Sequence, residues 1–166
     1  ALFEPGQVQE TVHSYFDGEA DQSRTLSVPT QTLSEDALWH WARGLAGPLL
    51  KPGESATVPL LSSLSRSRLD HESLSLSRVT LSRGAQRKQI TLNQRTMEVE
   101  VLVAAIEGGP RWSFEVDTEP PHLIARWSND RGESAVLLGS KRMAYWKLNG
   151  PQGRSALKDL GLKPLP

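Results

Sequence analysis

The chain has 166 residues, enough for one domain whose core needs no covalent staple. It contains no cysteine, which excludes disulfides, thiol catalysis and thiolate zinc sites. Lys and Arg total 19 and so do Asp and Glu, so the chain as a whole lacks the basic footprint of a nucleic-acid binder.

Turn residues come first at Asp17-Gly18. The first segment with helical spacing is Thr32 to Leu45. Thr32 with Glu35 three residues on has capping-box spacing, and Ser34 is a rival N-cap. Glu35 and Asp36 fall where a helix N-terminus favours negative charge. Leu38, Trp41, Ala42 and Leu45 follow on one face, and Gly44 or Gly47 can end the helix. Pro48 to Pro59 is rich in Pro and Gly and reads as a loop.

Ser62 to Arg83 is rich in serine and arginine. It reads as a pair of strands with one wet face and a mobile connection. An arginine-serine tract that binds RNA is the sharper alternative, but alternating Leu74 and Leu76 and the balanced charge argue against it.

From here the dominant period is two, which marks half-buried strands. Val79 and Leu81 alternate with polar residues, as do Ile90 and Leu92. Met97, Val99, Val101 and Val103 repeat the pattern, then Trp112, Phe114 and Val116, then Leu123, Ala125 and Trp127. Turn residues punctuate them at Arg83-Gly84, Glu107 to Pro110, Glu119 to Pro121 and Asn129 to Gly132. Short turns pair successive strands as antiparallel neighbours, so Arg78 to Leu148 reads as a meander of about five or six strands. A short second helix is expected over Gly153 to Leu160, closed by Gly161. No apolar run approaches the ~20 residues of a membrane-spanning helix.

Motifs that carry chemistry are missing. His13, His40, His71 and His122 lie far apart and share no metal-ligand spacing. The serines include no GxSxG elbow, and the glycines form neither GxGxxG nor a P-loop. The residues therefore point to no enzyme activity, no metal and no cofactor.

The aromatic residues are more informative. Trp39 and Trp41 flank His40, and on a helix residues two apart point about 200° apart. One can face the sheet while the other faces elsewhere. Trp112, Trp127 and Trp146 each fall in an expected strand, and Tyr145 and Trp146 should face opposite ways. With Phe114, these side chains either fill a core or line an apolar groove. Trp39, Trp41, Trp112, Phe114, Trp127, Tyr145 and Trp146 are thus the candidate ligand-binding residues.

The stretch from Pro120 to Gly150 resembles the C-terminal signature of a bacterial domain family of unknown function. The matching residues are Pro120, Pro121, His122, Arg126, Trp127, Asp130, Gly132, Arg142, Tyr145 and Trp146. Phe16-Asp-Gly18 and Glu35 to Leu38 also look like that family. Where its members carry an Ala-Gly-Thr-Phe type segment, this chain has Thr91-Leu-Asn-Gln-Arg-Thr96, which puts a shared ligand in doubt. The resemblance implies a fold similar to the periplasmic lipoprotein carriers (LolA/LolB-like). That fold is a strongly curved, incompletely closed antiparallel barrel with helices in its mouth. It also implies an apolar ligand such as a lipid or acyl chain.

The expectation is therefore a single domain over residues 1–166, mainly β: a curved antiparallel sheet or incomplete barrel with one covering helix and a short C-terminal helix. Its inner face would carry Val99, Val101, Trp112, Phe114 and Val116. The first functional reading is a binder of an apolar small molecule or lipid in the half-barrel cavity. The alternative is a non-enzymatic structural or protein-interaction module of the cell envelope with a filled core. Its contacts would be the serine-arginine middle and the Pro48 to Pro59 loop. Neither reading involves nucleic acid or a membrane span. The start at Ala1 suits a mature exported chain or a trimmed one, so a periplasmic or secreted location is expected, with the cytoplasm left open.

Overall fold

The computed structural model describes residues 2–12, 22–93 and 95–161. His13 and the expected turn at Asp17-Gly18 lie outside them. The fold is mainly β, as the alternation predicts. Strands β1 (Leu2–Glu4), β2 (Gln7–Val12) and β3 (Gln22–Ser27) form a small antiparallel sheet. A second sheet has seven strands and curls into a half-barrel. It holds β4 (Leu33–Ser34), β5 (Ser55–Leu61), β6 (Leu76–Leu92), β7 (Arg95–Ile106), β8 (Arg111–Asp117), β9 (Ile124–Asn129) and β10 (Ser134–Val136) in chain order. All its pairs are antiparallel except β4 with β5, which is parallel.

Three boundaries differ from expectation. The Pro48 to Pro59 loop ends at Glu54, and Pro59 lies within β5 opposite Arg78. That strand is an edge there, because β4 reaches only Leu60 and Leu61, so the missing Pro59 N–H costs no pairing on the outer side. The serine-arginine middle is not a pair of strands. It contains helix α2 (Leu64–Asp70), started by Ser63, whose hydroxyl accepts from Arg66 N at 3.1 Å, and ended by left-handed His71. Arg83-Gly84 is not a turn but part of one 17-residue strand. There the pairing jumps from Arg83 opposite Leu102 to Arg87 opposite Glu100, a bulge that absorbs the glycine.

The bulge has a consequence for the inner face. Residues directly opposite in an antiparallel pair share a face. Leu102 lies opposite Phe114 and Ala104 opposite Trp112, on the concave side. Val99 lies opposite Lys88 and Asp117, on the convex side. Here Met97, Val99 and Ala125 form a separate cluster with Ile90 and Leu92. The expected inner residues Trp112, Phe114 and Val116 are in the main core, whereas Val99 and Val101 are not; Leu102 and Ala104 take their place. The sheet thus switches its apolar side along its length.

The helix over the concave face is shorter than expected. A 3-10 turn (Glu35–Ala37) leads into α1 (Leu38–Ala42). Thr32 caps nothing; its hydroxyl donates to Pro29 O. Gly44 does end the helix, at φ +73°, with its N–H on Trp41 O and that of Leu45 on His40 O. Glu35 and Asp36 are not solvated N-terminal charges. Glu35 is buried and accepts from Ser63 N and Arg66, while Asp36 accepts from the Ser63 hydroxyl and Leu64 N. The pair ties α1 to the first turn of α2.

The small sheet docks through Val8 against Leu61 and Leu74. Beside them the buried Glu10 accepts from Arg24 Nε at 2.5 Å and from Leu74 N at 3.2 Å, and Arg24 also donates to Leu74 O. After β10 the expected strand over Tyr145 and Trp146 does not form. The chain runs irregularly to a 3-10 turn (Tyr145–Lys147), then a second (Pro151–Arg154) and α3 (Ser155–Asp159), the last matching the expected short helix.

Candidate functional site

Five of the seven candidate side chains meet on the concave face. Trp39 lies with its ring centroid 5.1 Å from Trp112, 5.7 Å from Phe114 and 5.9 Å from Trp127, all edge to face. Trp112 and Trp127 are 5.5 Å apart, and Trp41 is 6.5 Å from Phe114. These separations are those of rings in contact. Phe114, Trp41 and Trp112 are buried, and Trp39 and Trp127 are half-buried at the rim. Both helix tryptophans reach the sheet, although the helical angle sends them to different sides, because the curved sheet rises around a short helix. The space beneath α1 is occupied by these rings. Trp112 Nε1 is buried and has no hydrogen-bond partner among the described residues.

Tyr145 and Trp146 do not join this group. They share a 3-10 turn and pack edge to face on each other at 5.4 Å, with 70% and 63% of their surface exposed. Without strand geometry the two rings need not face opposite ways, and they do not.

Beside the aromatic cluster is an open cleft of about 270 Å³. Its apolar walls are Trp41, Leu49, Leu50, Leu102 and Val116. Polar groups line the rest, and each is already engaged. Arg43 donates to His122 O and Pro121 O. Arg83 holds Glu100 through Nε at 2.8 Å and Nη2 at 2.7 Å, and donates to Leu50 O. His122 Nδ1 lies 3.2 Å from Asp117 O. The loop over the cleft is also fixed by Trp41 Nε1, which donates to Pro48 O at 3.2 Å. Sequence reasoning missed this cleft because its walls come from positions 41 to 122, with no shared motif.

A second groove, of about 460 Å³, lies near the far end of the long hairpin. Pro120, Pro121 and Leu123 are apolar walls, and Arg95, Ser140 and Arg142 bring polar groups. Arg95 is 3.6 Å from Asp117. Among the described residues no group of three or more His, Asp or Glu side chains is placed to hold a metal ion.

No helix among the described residues is long and apolar enough to cross a membrane. No protein-family model, curated protein sequence or solved structure matches this chain.

Proposed function

We propose that this protein is a non-enzymatic binding module whose concave face is filled by its own side chains, and which meets a protein partner through the loop after α1 and through α2. One observation carries this reading. The two most exposed large aliphatic side chains among the described residues are Leu49, 81% exposed on that loop, and Leu69, 77% exposed on α2. They lie in the two segments expected to make contacts if the core were filled. Single exposed leucines are common on surfaces. These two sit on connections that are held in place, by Arg83 on Leu50 O and by Asp36 on the first turn of α2. Rigid display lowers the entropy cost of binding. A place in the cell envelope rests on the C-terminal resemblance.

The test is site-specific photo-crosslinking. A benzophenone side chain at position 49 or 69 should capture a discrete partner in cells, and the same group at the exposed Glu107 should not. An identical pattern from all three positions, or no adduct at 49 and 69, would sink the proposal.

The cleft beside Trp41 favours a second reading, a small apolar ligand such as part of an acyl chain. Its volume lies just below the roughly 300–1,000 Å³ of small-molecule pockets. Native mass spectrometry with lipid extraction of protein purified from its source tests this reading. A co-purifying lipid, with tryptophan emission that responds to added fatty acid, would favour it over the first.

A further inference from the structure

We infer that the C-terminal segment, residues 137–161, is a docking surface for an anionic lipid bilayer. The argument begins with charge. The whole chain is balanced, but this segment carries five Lys or Arg and one Asp. Elsewhere the stronger cation contacts are with carboxylates, among them Arg24 with Glu10, Arg66 with Glu35, Arg83 with Glu100, and Lys88 with Glu115. Arg142, Lys147, Arg154 and Lys158 are exposed, and among the described residues none has a carboxylate within salt-bridge distance. These four side chains concentrate unpaired positive charge on one short stretch of the chain.

The aromatic pair supplies the second half. Tyr145 and Trp146 project together from the turn that also carries Lys147. Tyrosine and tryptophan have apolar bodies and polar edges, and both concentrate at the headgroup level of membranes. Basic residues beside them add attraction to anionic lipids. Leu138 and Leu157, 62% and 44% exposed, add apolar surface that can sink below the headgroups beside the rings. The groove that Arg142 and Ser140 share with Arg95 can receive a headgroup phosphate against the prolines. This surface shares no residue with the loop and helix of the preceding proposal, and either can fail alone.

The experiment is co-sedimentation of the full chain with vesicles of phosphatidylcholine, and with equimolar phosphatidylcholine and phosphatidylglycerol. Binding is expected to the second only, and to weaken as salt screens the surface charge. Tyr145→Ser with Trp146→Ser should weaken binding by about tenfold or more. Lys147→Gln and Lys158→Gln should weaken it by about fivefold each. These side chains are exposed, so the variants should keep the wild-type circular dichroism spectrum. Equal binding to both vesicles would overturn the inference. So would unchanged binding by the folded aromatic variant, or displacement from vesicles by single-stranded DNA at matched ionic strength.

Discussion

Phe114→Ala measures how full the concave face is. Phe114 is fully buried and touches Trp39 and Trp41 edge to face. Removing the ring returns roughly 100 Å² of apolar burial, about 2.5 kcal/mol at the usual coefficient. The cavity left behind adds about 1–2 kcal/mol if the walls relax only in part. Two ring contacts are lost, worth about 0.5 kcal/mol each beyond area at the low end. The expected destabilisation is about 5 kcal/mol, at the upper end of the observed range for buried Phe→Ala changes. For a chain of this length that lowers Tm by about 10–20 °C. Urea unfolding gives the free energy, and an unchanged slope confirms that the same transition is followed. The folded variant should also take up a small apolar probe such as benzene, which the wild type should refuse. A loss under about 1.5 kcal/mol, well below the usual range, would refute the reasoning. The rings would then be packed loosely, around space that can already collapse.

Three further outcomes are expected. Asp36→Ala removes the acceptor of the Ser63 hydroxyl and of Leu64 N, and should cost about 1–2 kcal/mol; hydrogen exchange should speed up over α2 and not over β8. Glu10→Ala strips Leu74 N and Arg24 of their shared acceptor. With Arg24 42% exposed and able to rehydrate, the cost should be about 2 kcal/mol, read from the urea midpoint, and protease should cut sooner around β3. Gly47→Ala places a methyl group 3.3 Å from Trp41 Cδ1 at φ +65°, whereas Gly108→Ala at φ +70° meets open space. Both pay about 1 kcal/mol for the left-handed backbone, and only Gly47→Ala should lose measurably more in thermal melts.

The legible parts of this fold are those set by neighbours in the chain. Trp112, Phe114 and Val116 alternate cleanly and lie where alternation puts them. Gly44 ends α1 because left-handed backbone is cheap for glycine. Strand β7 was harder to read, since Val101 to Ile106 is apolar without a break and carries no phase. Its buried side is decided by the bulge between Arg83 and Arg87 on another strand. Glu35 and Asp36 look like helix N-terminal charges in sequence, and their partners lie at least 27 residues away. The aromatic cluster follows from residue type, whereas Tyr145 and Trp146 lie apart from it. Met143 to Trp146 is an unbroken apolar run between Arg142 and Lys147, too short and without alternation to distinguish a strand from a surface turn.

From β5 to β10 the order of strands in space is the order along the chain. Each strand needs only the one before it as a template, so the loops that must close are short and their entropy cost is small. The small N-terminal sheet is the exception, since its ties to Leu74 span 50 and 64 residues. Refolding should therefore proceed by growth outward from the hairpin of β6 and β7. Strands β1 to β3 should be the last to gain protection and the first to lose it in pulse-labelled exchange.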